Sequence, residues 1–248
     1  MKARRFESSG LRHFGSRLLD LVYPGVCHLC GDAVESGGSL CSPCSEGLPG
    51  LERPFCETCG EKFSGAIDAG FNCPNCSDQS FAFEFARPAL VRSPGIMTMV
   101  HDLKYGRRLE LAGALGDLAV GAFEDPRLQV VLDEGWPLVP VPLHWARRRW
   151  RYFNQALEIA LPLGRRMGLP VEELLKRTRP TVTQTRLSRV QRQKNLRGAF
   201  QVVRGFKPPA GVLLVDDVFT TGSTVHECAR ILKKSGVQKV IVVTVMRG

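Results

Sequence analysis

The rhythm of apolar and polar positions changes near residue 86. Upstream of it, large apolar residues are few. Residues 77–87 read as a connector that turns into a strand at the alternating phenylalanines of 81–85. From about residue 86, apolar strands alternate with helical stretches. Residues 138–143 read as a strand and its exit, 153–167 as a helix stopped near Gly168, and 211–215 as the next strand. Residues 223–234 follow as a helix with Gly236 as its stop, and 240–245 as a last buried strand. Strand–helix alternation of this kind predicts an α/β domain around a parallel sheet. The chain thus divides into a polar, partly helical lead-in (1–21), a cysteine-rich region (22–80) and an α/β domain (86–248).

Composition adds little until it is mapped. The 248 residues are 44% hydrophobic, enough to bury a core. No apolar run approaches the ~20 residues of a membrane helix. The first 16 residues lack a continuous apolar segment of the signal-peptide kind, so the expected compartment is the cytoplasm. The formal charge of +10 is unevenly spread. Residues 1–80 carry 7 Lys/Arg against 10 Asp/Glu, whereas residues 144–207 carry 16 Lys/Arg against Glu158, Glu172 and Glu173 alone. A bias confined to one segment implies an anionic partner: a polyphosphate, a nucleic acid or an acidic surface.

Eight of the nine cysteines form four CxxC pairs: Cys27/Cys30, Cys41/Cys44, Cys56/Cys59 and Cys73/Cys76. Each pair sets two thiolates on one side of a metal, and two pairs complete a tetrahedral four-thiolate site. Four pairs therefore make two structural Zn²⁺ sites; one redox motif would need only one pair. Short loops favour sequential sharing, with Cys27/Cys30/Cys41/Cys44 on one ion and Cys56/Cys59/Cys73/Cys76 on the other, although zinc proteins also use interleaved pairing. With so few apolar residues, the metals supply much of the region's folding energy. His28 is expected to be a neighbour of the first site and Cys228 a core residue.

The most specific stretch is residues 212–224: four apolar residues, Asp216, Asp217, Val218, Phe219, then Thr220-Thr221-Gly222-Ser223-Thr224. Ligands gather where strands of open parallel sheets end. The hydroxyls and N–H groups of such a turn, with the next helix dipole behind them, suit a phosphate. Two carboxylates can accept from ribose hydroxyls and sit near Mg²⁺, which takes oxygen ligands and substrate phosphates. A P-loop nucleotidase would need a GxxxxGK[ST] loop, which the chain lacks.

The stretch resembles the 5-phosphoribosyl-1-pyrophosphate (PRPP) motif of type I phosphoribosyltransferases, with every fixed position filled. Leu103-Lys104-Tyr105, Val139-Pro140-Val141-Pro142, Phe153-Asn154-Gln155, residues 181–184 and residues 192–200 (RQKNLRGAF) occur in the order of the ComF family. The resemblance to that family covers residues 20–248. It implies a double zinc ribbon joined to a type I phosphoribosyltransferase domain, and a role in bacterial natural transformation. It also implies PRPP·Mg²⁺ as ligand, with Asp216 and Asp217 at the ribose hydroxyls and metal, residues 220–224 around the 5′-phosphate, and Arg151 at the pyrophosphate. Where the family usually has Arg-Gly-Phe-Asn-Gln, this chain has Arg151-Tyr152-Phe153-Asn154-Gln155. Glycine there lets backbone N–H groups approach a pyrophosphate, whereas tyrosine makes φ > 0 costly.

Residues 177–200 stand in the place of the transferases' flexible loop and carry seven basic residues and no acid. Closure over PRPP and neutralisation of DNA phosphates both fit this charge. Base stacking would fall to Trp145, Trp150, Tyr152 and Phe153. Two readings follow: a phosphoribosyltransferase of open acceptor, or a non-enzymatic factor binding single-stranded DNA or recombination proteins through a retained phosphate site.

Overall fold

Two long valine-rich strands make the centre of the sheet because both their faces are covered. The computed structural model describes residues 25–34, 39–65, 70–179 and 195–248. The lead-in and most of the basic loop, with Arg186, Arg189, Arg192 and Lys194, lie outside the described residues. Two compact units divide after Leu48.

In the first unit, β1 (Gly25–Val26) pairs antiparallel with β2 (Ala33–Val34), and a short helix α1 (Ser42–Glu46) carries Cys44. In the second unit, α2 (Pro74–Ser77) carries Cys76 and precedes strand β3 (Ala86–Leu90). Helix α3 (Pro94–His101) runs into a π-type turn at Asp102–Gly106. Helices α4 (Leu111–Ala119) and α5 (Gln129–Asp133) lead to β4 (Leu138–Pro140). After β4 come α6 (Trp145–Arg151) and α7 (Gln155–Met167). An antiparallel pair follows, β5 (Leu175–Arg177) with β6 (Phe200–Val202), which holds the two ends of the basic segment together. The last elements are β7 (Gly211–Phe219), α8 (Ser223–Lys234) and β8 (Lys239–Arg247).

The main sheet has the order β3-β8-β7-β4, and every pair in it is parallel. Strands buried on both faces suit the unbroken apolar runs of β7 and β8. Helix α7 begins where the Asn154 side chain accepts from Ala156 N at 3.3 Å and stops at Gly168, whose φ of 67° belongs to the left-handed region. Close contact of α4 and α7 depends on Gly116: a Cβ there would stand 2.3 Å from Pro162 Cγ.

Two strands differ from the sequence expectation. Strand β7 does not stop at 215 but continues through both acids to Phe219, because β8 pairs with it as far as Phe219↔Arg247. Polar residues near the end of a strand obscure its length when only the apolar run is read. Residues 82–84 form bends, and the strand starts at Ala86. In that segment the Glu84 carboxylate takes Val240 N at 2.6 Å, and Phe83 turns edge-on to Phe219 with ring centres 6.0 Å apart. Glu84 N also donates to Val240 O at 2.9 Å, so side chain and backbone together tie this segment to β8.

The second cysteine cluster is built into the larger unit. Thr58 O accepts from Ala86 N at 2.8 Å, and Leu51 N donates to Ala89 O at 3.1 Å. Residues 49–51 thereby cover the outer edge of β3, and Gly50 bridges Leu90. Arg127 ties Glu57 to the body at 3.0 Å, and buried Arg87 pairs with Asp125 at 2.6 Å with its guanidinium over the Phe55 ring.

Candidate phosphate site and metal centres

Asp216 and Asp217 stand near the C-terminal end of β7, and the polypeptide then turns into α8. Two facts fix glycine at 222. Its φ is 71°, and a Cβ would lie 2.7 Å from Phe219 Cζ and 3.2 Å from Phe81 Cε1. Thr221 Oγ1 and Ser223 Oγ lie 3.0 Å apart, so the two hydroxyls face the same space. Residues 216 and 218–225 line a small cavity of ≈ 30 Å³. The first N–H groups of α8 have no partner within the helix, and its dipole places positive charge there. A group with two or three anionic oxygens fits this cradle.

The carboxylates differ. Asp217 is buried and paired with Lys104 Nζ at 2.8 Å. Asp216 is half-buried; its carboxyl is pushed up from the usual 3.8 to about 7 by burial first and the Asp217 charge second, with Lys104 opposing them. Its Oδ1 accepts from Asp217 N at 2.9 Å. One of the two acids is therefore poised near neutrality, able to bind a divalent cation as a carboxylate or hydrogen-bond a sugar hydroxyl in either state.

Arg151 ends α6 and is buried, with a terminal nitrogen 2.9 Å from Gln155 Oε1 and its guanidinium over the Tyr105 ring at 5.1 Å. Tyr105 neighbours Lys104 in the Asp102–Gly106 turn, so one short π-type turn touches both Asp217 and Arg151. Strands β4 and β7 are adjacent, which places the loop after β4 and the turn after β7 at one end of the sheet. Tyr152 takes a φ of 73°, the glycine-like conformation, despite its side chain. Its ring is exposed and lies under the Arg107 guanidinium at 4.9 Å; Arg107 has φ 58°, and these two are the positive-φ non-glycine residues among the described ones. Trp145, Trp150 and Tyr152 are exposed, but Phe153 is buried and has no face to offer a base.

Sequence reasoning left three residues out. Lys104 was visible only as part of a motif. Glu227 of α8 accepts from Gly198 N at 2.8 Å and pairs with Arg230 at 2.7 Å, tying the end of the basic segment to the helix behind the hydroxyl turn. Arg247 donates to Phe219 O and Thr220 O at 2.8 and 2.9 Å. Arg247 is an isolated charge in sequence, and the i,i+3 spacing of Glu227 and Arg230 reads as an ordinary helix-surface pair rather than a tie to Gly198.

The cysteines group sequentially, as Cys27/Cys30/Cys41/Cys44 and Cys56/Cys59/Cys73/Cys76, each with its sulfurs within 4.8 Å of one another. Tetrahedral zinc with ~2.3 Å bonds needs sulfurs about 3.8 Å apart. Cys30–Cys41 and Cys59–Cys73 stand at 3.6 Å, so both clusters fit Zn²⁺. His28 is in neither cluster, and Cys228 is buried with its thiol pushed well up by that burial. Among the described residues no helix is long and apolar enough to cross a membrane.

Two four-cysteine zinc ribbons and a parallel sheet ending in acids and a hydroxyl turn define the class: a double zinc ribbon joined to a phosphoribosyltransferase-like domain. Family models agree: the double zinc ribbon domain matches residues 18–80, and the phosphoribosyl transferase domain matches residues 155–248. The chain is 34% identical to the DNA utilization protein YhgH of Escherichia coli K12 over 221 residues, covering 87% of this chain and 94% of that one. It is 29% identical to competence protein F of Haemophilus influenzae over 216 residues (86% and 92%). Against competence protein ComFC of Bacillus subtilis it is 32% identical over 110 residues (44% and 42%). The chain belongs to this YhgH/ComF family.

Proposed function

We propose that the larger unit binds PRPP with Mg²⁺ and serves in DNA utilization, the activity named in its relatives YhgH. The observation that carries the reading is the pair of acids beside the hydroxyl turn: Asp217 lies 2.8 Å from Lys104 Nζ, and the Asp216 carboxyl is pushed up to about 7 by burial and the neighbouring acid. Asp216 and Asp217 hold the ribose hydroxyls and orient the metal. Thr220, Thr221, Gly222, Ser223 and Thr224 surround the 5′-phosphate. Arg151 meets the pyrophosphate. Bound Mg²⁺ would spread the charge of the leaving pyrophosphate. No side chain attacks; the chain's own part is to hold the sugar phosphate in place and to set fixed charge around it. Zinc in both ribbons is structural, and the cytoplasm is the proposed compartment.

Calorimetric titration of PRPP with Mg²⁺ tests this, into the wild type and into a zinc-loaded Asp216→Asn/Asp217→Asn double variant. Binding by the wild type that the variant loses is expected; a folded wild type that takes up no heat sinks the reading.

A second reading, in which the same face holds single-stranded DNA without turnover and contacts recombination proteins, is favoured by the exposed Trp145, Trp150 and Tyr152 beside arginines. Single-strand affinity that falls steeply with salt, and drops further on neutralising Arg186, Arg189 and Arg192, supports it. Salt-insensitive binding counts against it.

A further inference from the structure

The second ribbon reaches the hydroxyl turn through one buried cation. Its four cysteines are buried within the same hydrophobic cluster as Leu214, Phe219 and Val225. Glu61 belongs to the knuckle that carries Cys56 and Cys59, since its carbonyl accepts from Cys56 N at 2.8 Å and Gly60 N donates to Cys56 O at 2.8 Å. The Glu61 carboxylate pairs with Arg247. From the end of β8, Arg247 also reaches the other way. One terminal nitrogen donates to Phe219 O at 2.8 Å and to Thr220 O at 2.9 Å, the carbonyls that open the turn. Gly248 N closes on Phe219 O at 2.9 Å, and the guanidinium lies over the Phe219 ring at 5.4 Å. That ring is the one that crowds Gly222.

A guanidinium so enclosed, 9% exposed, has little freedom to find other partners. If the knuckle loses its metal, the place of the Glu61 carboxylate is no longer fixed, because in such ribbons metal binding and folding are one event. Arg247 then loses its ionic partner in a site poor in water, and its two bonds to the turn are no longer held in line. The reverse also holds: an anion seated on the turn fixes the Phe219 and Thr220 carbonyls, and through them Arg247 and the knuckle.

We propose that zinc occupancy at Cys56/Cys59/Cys73/Cys76 and anion binding at residues 220–224 are coupled, with Arg247 and Glu61 as the positioning residues that join them. The proposal rests on the reading of the turn as a phosphate site. By linkage each ligand tightens the other by the same factor, on the order of fivefold or more for couplings of this kind.

The test uses the full-length chain with Cys41→Ser and Cys44→Ser, which leaves the second zinc as the one to follow. Zinc affinity is measured by equilibrium competition with a colorimetric chelator, with and without saturating PRPP·Mg²⁺. Zinc held about fivefold more tightly with the ligand, with the gain lost in both Glu61→Gln and Arg247→Lys, is the expected result. Glu61→Gln changes a side chain that is 40% exposed and keeps its shape, so loss of fold does not confuse it. Ligand that binds without changing zinc affinity, or a gain that survives both substitutions, overturns the coupling. If PRPP does not bind at all, the phosphate reading fails and hydrogen exchange decides the coupling alone. Removing the second zinc must then speed exchange at residues 220–224; unchanged exchange there overturns it.

Discussion

Two turns at the same end of the sheet reach the same backbone conformation by opposite means. After β7, Gly222 sits at φ 71°; after β4 and α6, Tyr152 sits at φ 73°. At the first, the left-handed residue is enclosed by Phe219 and Phe81, and no side chain has room. At the second, the residue is exposed and carries a ring that Arg107 covers. The β7 turn is therefore dictated by packing. The β4 turn is held against an intrinsic cost of ~1–2 kcal/mol, offset in part by the cation–π contact, worth ~0.5–1 kcal/mol at exposed sites. In the proposed site the β7 turn is thus the half of fixed shape and the β4 turn the half held under strain.

Gly222→Ala puts the contrast under the greatest load. It meets both a left-handed φ that is costly for an L side chain and the Phe219 ring, and is expected to cost at least ~2 kcal/mol and to abolish PRPP binding by calorimetry. Wild-type affinity in a folded Gly222→Ala protein would erase the distinction between the turns. Lys104→Met is next. It leaves the buried Asp217 carboxylate without its cation, a loss of ~3 kcal/mol in urea unfolding, and adding Asp217→Asn should recover most of it; purely additive effects would mean the pair is not coupled.

The pH dependence separates the acids. The folded protein keeps the Asp216 proton between 3.8 and about 7, where the unfolded chain has released it, so this group lowers stability as pH rises through that window. If Asp216 meets the metal as a carboxylate in the proposed site, PRPP·Mg²⁺ affinity should rise about tenfold from pH 6 to pH 8. Asp217→Asn should move the midpoint down by removing the neighbouring charge. A flat profile would remove Asp216 from the metal's surroundings. The smallest effect is at the other turn. Tyr152→Gly relieves the strain but loses the Arg107 contact, so stability should rise by less than ~1 kcal/mol and ligand affinity should change only a few-fold. A large destabilisation would show the tyrosine ring, rather than the backbone, to be the feature that shapes this loop.

The legible parts of this molecule were those written in consecutive residues. CxxC spacing identifies a metal site because four atoms must meet at one point and two short turns suffice. The acids and hydroxyls of residues 216–224 are contiguous for a similar reason, since a single turn makes the cradle. The sheet order was not legible, because which strands pair is decided by burial of whole faces. Lys104 and Arg247 were missed as site residues because their partners are far away along the chain, and Glu227 because its spacing from Arg230 reads as an ordinary helix-surface pair. Phe153 was misjudged among the stacking aromatics because it lies in the short link between α6 and α7, where no period in the sequence tells a buried ring from an exposed one, and it is buried.

The strip of backbone at residues 49–51 has a consequence for heredity. Because it shields the rim of β3, and because Thr58 and Glu57 are tied into the body, a recombination breakpoint near residue 80 would leave one gene product with a naked rim and the other with a knuckle lacking its support. The second ribbon is thus also the lid of an open edge, and a gene fragment starting after it would encode a sheet with an unpaired rim.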